Sequence, residues 1–138
     1  MNPTIFVDSD VFVALVNTSD ANHSKARRIS NYLLDLKANL FTSVLVVEEL
    51  VSVLAIKYGL KSDAIRFARE VIGDMNFVNV DPTDLQNSLE ILKNQPSAKI
   101  SLQDCVNIYL VKKHQFDAIF SFDKIYGRNG LTYASEIT

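Results

Sequence analysis

Residues 5–17 read IFVDSDVFVALVN. Ile5, Phe6 and Val7 form a short apolar run, and Val11 to Val16 form another. Asp8, Ser9 and Asp10 lie between them. Three consecutive apolar residues before a polar break predict a short buried strand. The second run predicts a helix starting at Ser9 or Asp10 and reaching about Val16. The two acids therefore fall at the junction of a strand and a helix, where the chain otherwise favours burial. A carboxylate taken from water is costly unless it is paired, hydrogen-bonded or bound to a metal.

Working outward, DANHSKARRISNYLLDL predicts a helix, with Asp20 as its N-cap and Ala26, Ile29, Leu33 and Leu36 at helical spacing. NLFT, residues 39–42, predicts a brief strand. Ser43 caps the next helix, which carries Val46, Val47, Leu50, Val53 and Leu54 and ends at Gly59. KSDAIRFAREVIGD predicts another helix, stopped by Gly73, and MNFVNV a strand. Asp81 followed by Pro82 is a helix start with Pro at the first helical position, and that helix runs to about Lys93. A further helix starts at Ser101 in SLQDCVNIYLVKKH. DAIFSF, residues 117–122, predicts a strand, and the tail a last one near 132–134. Strands alternating with helical stretches imply parallel strands joined by helical crossovers. The expected fold is a three-layer α/β/α sandwich with a central, mainly parallel sheet, spanning 1–138 as a single domain. In such folds sites form where strands end and helices begin.

The chain of 138 residues has a hydrophobic share of 48%, a charged share of 22% and a net charge of −2. This balance argues against a surface that coats nucleic acid broadly, but not against an enzyme that cuts it at an acidic centre. The single cysteine, Cys105, excludes an intrachain disulfide framework and fits a reducing cytoplasm. No Cys/His cluster has zinc spacing. No signal peptide is visible at the N-terminus, and no apolar run approaches the ~20 residues of a membrane helix.

Four acids stand out against apolar surroundings. Asp8 ends IFVD. In TSVLVVEELVSVL, Glu49 shares a helical face with Leu45, Val46 and Val53, whereas Glu48 falls on the side of Ser52 and is the runner-up. Asp104 lies in SLQDCVNIYL, and Asp123 just past an apolar strand in AIFSFDKIYG. Each also has an ordinary structural role open to it. Asp8 is a fitting helix cap. Asp104 completes a capping-box spacing with Ser101. Asp123 suits a turn ending at Gly127, Asp10 complements a helix dipole, and Glu49 is a solvated helix acid. Together they form a different pattern: two acids at strand ends and two on helices beside those ends. Carboxylates that converge raise one another's pKa values unless a cation is present. Mg²⁺ and Mn²⁺ favour such all-oxygen ligands.

In the order and spacing of these pieces the sequence resembles the PIN domain family, and within it the VapC-type toxins of toxin–antitoxin pairs. IFVDSDVFVALVN is similar to the opening strand with its first metal-site aspartate. DANHSKA is similar to the start of the second helix, TSVLVVEELVSVL to the segment with the second acid, and SLQDCVNIYLVKKHQFDAIFSFDKIYGRNGL to the paired third and fourth motifs. The resemblance implies an endoribonuclease dependent on Mg²⁺ or Mn²⁺ that hydrolyses RNA phosphodiester bonds by metal-activated water. Asp8, Glu49, Asp104 and Asp123 would hold the metal, with Ser9, Asp10 and Ser121 in supporting contact. It also implies a cognate antitoxin that covers the acidic groove, and a homodimer. The chain departs from the family in its doubled Glu48–Glu49, in Ser121 where relatives more often carry Thr, and in Asp10 where many carry a small or neutral residue. RNA requires cations for its backbone. Lys124 and Arg128 follow Asp123 closely enough to reach a phosphate, while Lys25, Arg27, Arg28, Lys112 and Lys113 also read as solvated helix faces.

Two rival readings stand beside this one. Asp8-x-Asp10 after a first strand fits haloacid-dehalogenase-like phosphatases, with Asp8 as nucleophile and Asp10 as acid/base. A catalytically silent PIN-like scaffold would keep the fold alone.

Overall fold

The computed structural model describes residues 1–137. Four strands form one sheet in the order β3-β2-β1-β4. They are β1 (Thr4–Val7), β2 (Asn39–Thr42), β3 (Asn76–Phe77) and β4 (Ala118–Phe120), and every pairing is parallel. Ile5 pairs with Leu40 on one side and Ala118 on the other, so β1 is central. A strand buried on both faces needs continuous apolar residues, and Ile5, Phe6 and Val7 are all buried.

Seven α-helices occur among the described residues: α1 (Ser9–Val16), α2 (His23–Asp35), α3 (Val44–Ser52), α4 (Lys61–Asp74), α5 (Pro82–Lys93), α6 (Leu102–His114) and α7 (Ile125–Arg128). From β1 to β2 to β3 the chain steps in one direction, then returns across the sheet to β4. Right-handed crossovers place α5 and α6 on the face opposite α1–α4. The packing agrees: α1 meets α2, α3 and α4, and α5 packs mainly on α6. The expected three layers are therefore present. The direction of the crossovers reverses between β1 and β4, and that is where an open parallel sheet leaves a crevice at its carboxyl edge.

Several expectations need correction. Asp20 does not cap α2. Its carboxylate accepts the Asn22 N–H in a turn at 2.8 Å, and the helix starts at His23. The His23 imidazole bonds the Ala14 carbonyl at 2.7 Å, tying that start to α1. The helix after Ser43 does not run evenly to Gly59, because Val53–Lys57 is π-helical. Gly73 lies inside α4 rather than ending it. MNFVNV pairs only over Asn76–Phe77, at the exposed edge of the sheet. The tail forms no full strand. Tyr133 makes one parallel bridge to Ile119, and a 3₁₀ turn follows at Ala134–Glu136. The expected caps at Ser43, Asp81 and Ser101 are present.

Candidate metal centre and active site

Asp8 follows β1 directly. Its backbone N–H extends the ladder to the Phe120 carbonyl at 3.0 Å, which fixes the residue at the crevice between β1 and β4. Its side chain is 6% exposed. Oδ1 accepts the Ser9 N–H at 2.7 Å and the Asn107 amide at 3.1 Å. Oδ2 accepts the Tyr126 hydroxyl at 2.6 Å, with Ser121 Oγ at 3.4 Å. The helix-capping role and a site role therefore coincide in one residue. Burial raises the Asp8 pKa. The Tyr126 and Ser9 donors oppose the shift, and the charges of Asp104 and Asp123 add to it.

The other expected acids surround this group unequally. Asp104 starts α6 and forms the capping box with Ser101, its Oδ2 accepting the Ser101 N–H at 3.1 Å. Its Oδ1 remains free of the box and lies 3.4 Å from the Tyr126 hydroxyl. One carboxylate oxygen from Asp8 and one from Asp104 thus converge on the same hydroxyl. Asp123 is exposed after β4, and its Oδ1 accepts the Ile125 N–H at 3.0 Å. Glu49 is half-buried on α3. Burial raises its pKa, the Asp8 charge adds to the shift, and the Ser9 hydroxyl opposes it. Glu48 is exposed and accepts the Ser52 hydroxyl at 3.1 Å.

Asp10 does not turn wholly away from Asp8. Its Oδ2 accepts Ser121 Oγ at 3.0 Å and the Phe122 N–H at 2.8 Å, so both aspartates touch Ser121. Burial and then the Asp8 charge push its pKa up to about 7, while the Phe122 and Ser121 donors restrain it. Its other oxygen, Oδ1, is buried without a hydrogen-bond donor among the described residues, as is Asn107 Oδ1.

Asn107 and Tyr126 are the residues that sequence reasoning missed. Asn107 Nδ2 donates to Asp8 Oδ1 and to the Tyr126 oxygen, at 3.1 and 3.0 Å. Both side chains are almost wholly buried. Burial raises the Tyr126 pKa, and the charges of Asp8 and Asp104 raise it further. The phenol therefore stays protonated and acts as a donor. A signal was present for Asn107, which follows Asp104 by three positions on α6, but not for Tyr126, because Asp123 precedes α7. On a helix that spacing returns a side chain to the same face.

Below this network, Tyr133 clamps the loop that carries Asp123. Its hydroxyl donates to the Asp123 carbonyl at 2.6 Å and accepts the Gly127 N–H at 2.8 Å. A Cβ at position 127 would lie 2.9 Å from Tyr133 Cε2, so the ring seats only against glycine.

Among the described residues, no group of three or more His, Cys, Asp or Glu side chains is arranged to share one ion. The chemistry of the donors nevertheless fits a hard divalent cation. All are oxygens, one buried Asp10 oxygen lacks a donor, and Asp8 and Asp104 both lie against the Tyr126 hydroxyl. A cation that keeps several waters needs only one or two direct carboxylates.

A crossover-linked parallel sheet with buried acids at its carboxyl edge defines an acid-centred α/β domain. The PIN domain family matches residues 5–130, so the chain belongs to that family. Its structure is similar to the crystal structure of Mycobacterium tuberculosis VapC20, a sarcin–ricin-loop-cleaving toxin. The TM-score is 0.81 with 22% sequence identity, over 93% of this chain and 96% of that one. A comparison with curated protein sequences returns no significant match. Family membership sets aside the dehalogenase-like reading of Asp8-x-Asp10.

Proposed function

We propose that this chain is an endoribonuclease of the VapC type, the toxin of a type II toxin–antitoxin module, acting with Mg²⁺ or Mn²⁺. The observation that carries the reading is the setting of Asp8. Three donors, the Ser9 N–H, the Asn107 amide and the Tyr126 hydroxyl, fix this buried carboxylate in one orientation while Asp104, Asp123, Glu49 and Asp10 surround it with like charge. Carboxylates whose pKa values are raised by burial and by neighbouring charge in a crevice, as at Asp8, Asp10 and Glu49, mark a candidate functional site. Membership of the PIN family and the likeness to VapC20 support the same reading.

Asp8 and Asp104 would hold the cation directly, with Glu49 and Asp123 beside it or reaching it through water. When bound there, the ion supplies Lewis-acid stabilisation of charge on the phosphate and a more acidic water. The chain's own residues orient this centre. Tyr126 and Asn107 lock the Asp8 carboxylate, the Ser9 N–H adds a donor at its edge, and Ser121 holds Asp10 beside it. Lys124 and Arg128 follow Asp123 in the chain and would meet the RNA backbone. The reading includes a cytoplasmic location, a cognate antitoxin over the acidic groove and a homodimer. The exposed apolar side chains of Val44, Ile56 and Ile72 offer surface to such partners. Among the described residues, no helix is long and apolar enough to cross a membrane.

The test is cleavage of total RNA with Mg²⁺, Mn²⁺ or EDTA, comparing wild type with Asp104→Asn. The amide can still accept the Ser101 N–H, so the helix cap survives. Cleavage that needs the metal and is lost in the variant is expected. Mn²⁺ should also raise the melting temperature of the wild type only, as a ligand of the folded state does. Equal cleavage by both proteins, or cleavage in EDTA, would overturn the reading.

A further inference from the structure

Ser121 and Phe122 face two ways. The Ser121 hydroxyl and the Phe122 N–H hold Asp10, while the Phe122 ring lines a cavity of about 510 Å³ on the other side. Lys25 from α2, Lys124, and Arg128 from α7 line the same cavity, with Asn22 and Tyr133 between them. Lys25 Nζ lies 5.6 Å from the Phe122 ring centroid. Among the described residues the only ion pairs are Arg66–Asp63 and Lys113–Asp84, so none of these three cations is neutralised by an acid. In a chain of net charge −2 this is a local concentration of uncompensated positive charge, separated from a cluster of acids by two residues.

We infer that this cavity is a subsite for one unpaired RNA nucleotide adjacent to the bond that is cut. The inference rests on the ribonuclease reading and specifies where its substrate sits. The cavity is within the size range of small-ligand sites. Cations that track a backbone, combined with an aromatic face for a base, are the elements that bind single strands. The base lies against Phe122 and the neighbouring phosphates meet Lys25, Lys124 and Arg128. A base inside a duplex is stacked and cannot enter such a recess, so the subsite selects looped or single-stranded RNA. The acids next to it repel a phosphate in the absence of a cation. The cationic cavity offsets that repulsion and draws the strand across Ser121 toward Asp8.

The experiment measures binding of a fluorescein-labelled 12-nucleotide RNA, single-stranded or annealed to its complement, in EDTA, where no cleavage intervenes. The proteins are wild type, Phe122→Leu and the Lys25→Ala/Arg128→Ala double variant, each checked by its melting temperature. Single-strand affinity should fall roughly 5- to 100-fold in Phe122→Leu, the range for loss of one stacked base. In the double variant the slope of log affinity against log salt should decrease by about 1 for each cation removed. Wild type should bind the duplex more weakly than the single strand. The inference is overturned if both folded variants bind the single strand like wild type, or if the duplex binds equally well. The same proteins are then assayed with Mn²⁺. Wild-type cleavage with unaltered binding in the variants removes the subsite and leaves the ribonuclease. Cavity-dependent binding without any wild-type cleavage removes the ribonuclease and leaves the cavity as a single-strand binding site alone.

Discussion

Asp8 and Asp84 are both buried aspartates, 6% and 1% exposed, in opposite electrostatic settings. Asp84 sits in the first turn of α5. Its carboxylate accepts Lys113 Nζ at 2.7 Å from α6 and the Asp81 N–H at 2.9 Å in a capping box. The Lys113 contact, and then the Asp81 N–H, hold its pKa below the usual carboxylate range. Asp8 has three donors to the two of Asp84, but no cation, and other acids around it. Its pKa moves the other way. Burial alone therefore does not separate a site from a strut. What separates them is whether the protein itself supplies the balancing charge. At Asp84 it does, and the group fastens α5 to α6. At Asp8 it does not, which is the condition for binding a cation from solution.

Replacing each aspartate by asparagine should give crossed results. Asp8→Asn should reduce RNA cleavage by at least ~100-fold, the scale of losing one electrostatic contributor to a transition state. In EDTA its melting temperature should be unchanged or raised, because a like charge is removed. Asp84→Asn should leave cleavage within about 2-fold and lower stability by about 1 kcal/mol, because the amide still accepts the Asp81 N–H but loses the charge paired with the partly exposed Lys113. Denaturant melts beside a cleavage assay check both halves. Loss of both properties in both variants would erase the distinction.

A smaller effect is expected at the donors that fix Asp8. Tyr126→Phe and Asn107→Leu should lower cleavage by roughly 10- to 100-fold, as loss of a contact behind a metal ligand does. The concentration of Mn²⁺ needed for half-maximal stabilisation should rise as well, and thermal shift at graded Mn²⁺ reads this without substrate. An unchanged requirement would mean that the two residues only fill space.

The smallest effect is a slope in pH. Asp84 has a lowered folded pKa, so its contribution is present above the ordinary carboxylate pKa and is lost as pH falls through the folded value. Asp10 has a folded pKa raised to about 7, so its contribution is fully present below its ordinary value of 3.8 and is lost as pH rises toward about 7. In EDTA, Asp10→Asn should flatten the decline toward neutrality, and Asp84→Asn should flatten only the acid limb. Denaturant midpoints across the pH range check this. A wild-type curve without a decline toward neutrality would refute the Asp10 half.

Much of this comparison could be read in the chain before folding. Ile5–Val7 and Ala118–Phe120 are apolar runs closed by polar breaks, and the order of strands and helices implies the parallel sheet. Strand ends then mark where Asp8 and Asp123 lie. Helix caps are local and follow from spacing, as Ser101 with Asp104 and Asp81 with Pro82 illustrate. The parts that were not legible depend on distant contacts. The donors to Asp10 come from residues more than a hundred positions away, and no local pattern names them. On α6, Cys105 to Ile108 are all buried, so periodicity no longer separates Asn107 from its apolar neighbours. The edge strand β3 and the tail were overestimated for a related reason. Propensity indicates extended chain there, but pairing depends on how far the neighbouring strand reaches.

The ladder from Asp8 to Phe120 also has a consequence in time. Ribosomes release the chain from its N-terminus, and an isolated first strand finds its partner β4 only when more than a hundred further residues have emerged. Tyr126, which fixes Asp8, emerges later still, and so does Tyr133, which clamps the Asp123 loop. A chain cut short before Tyr126 carries Asp8 without the hydroxyl that fixes it. Assembly of the acids is thus tied to the joining of segments more than a hundred residues apart.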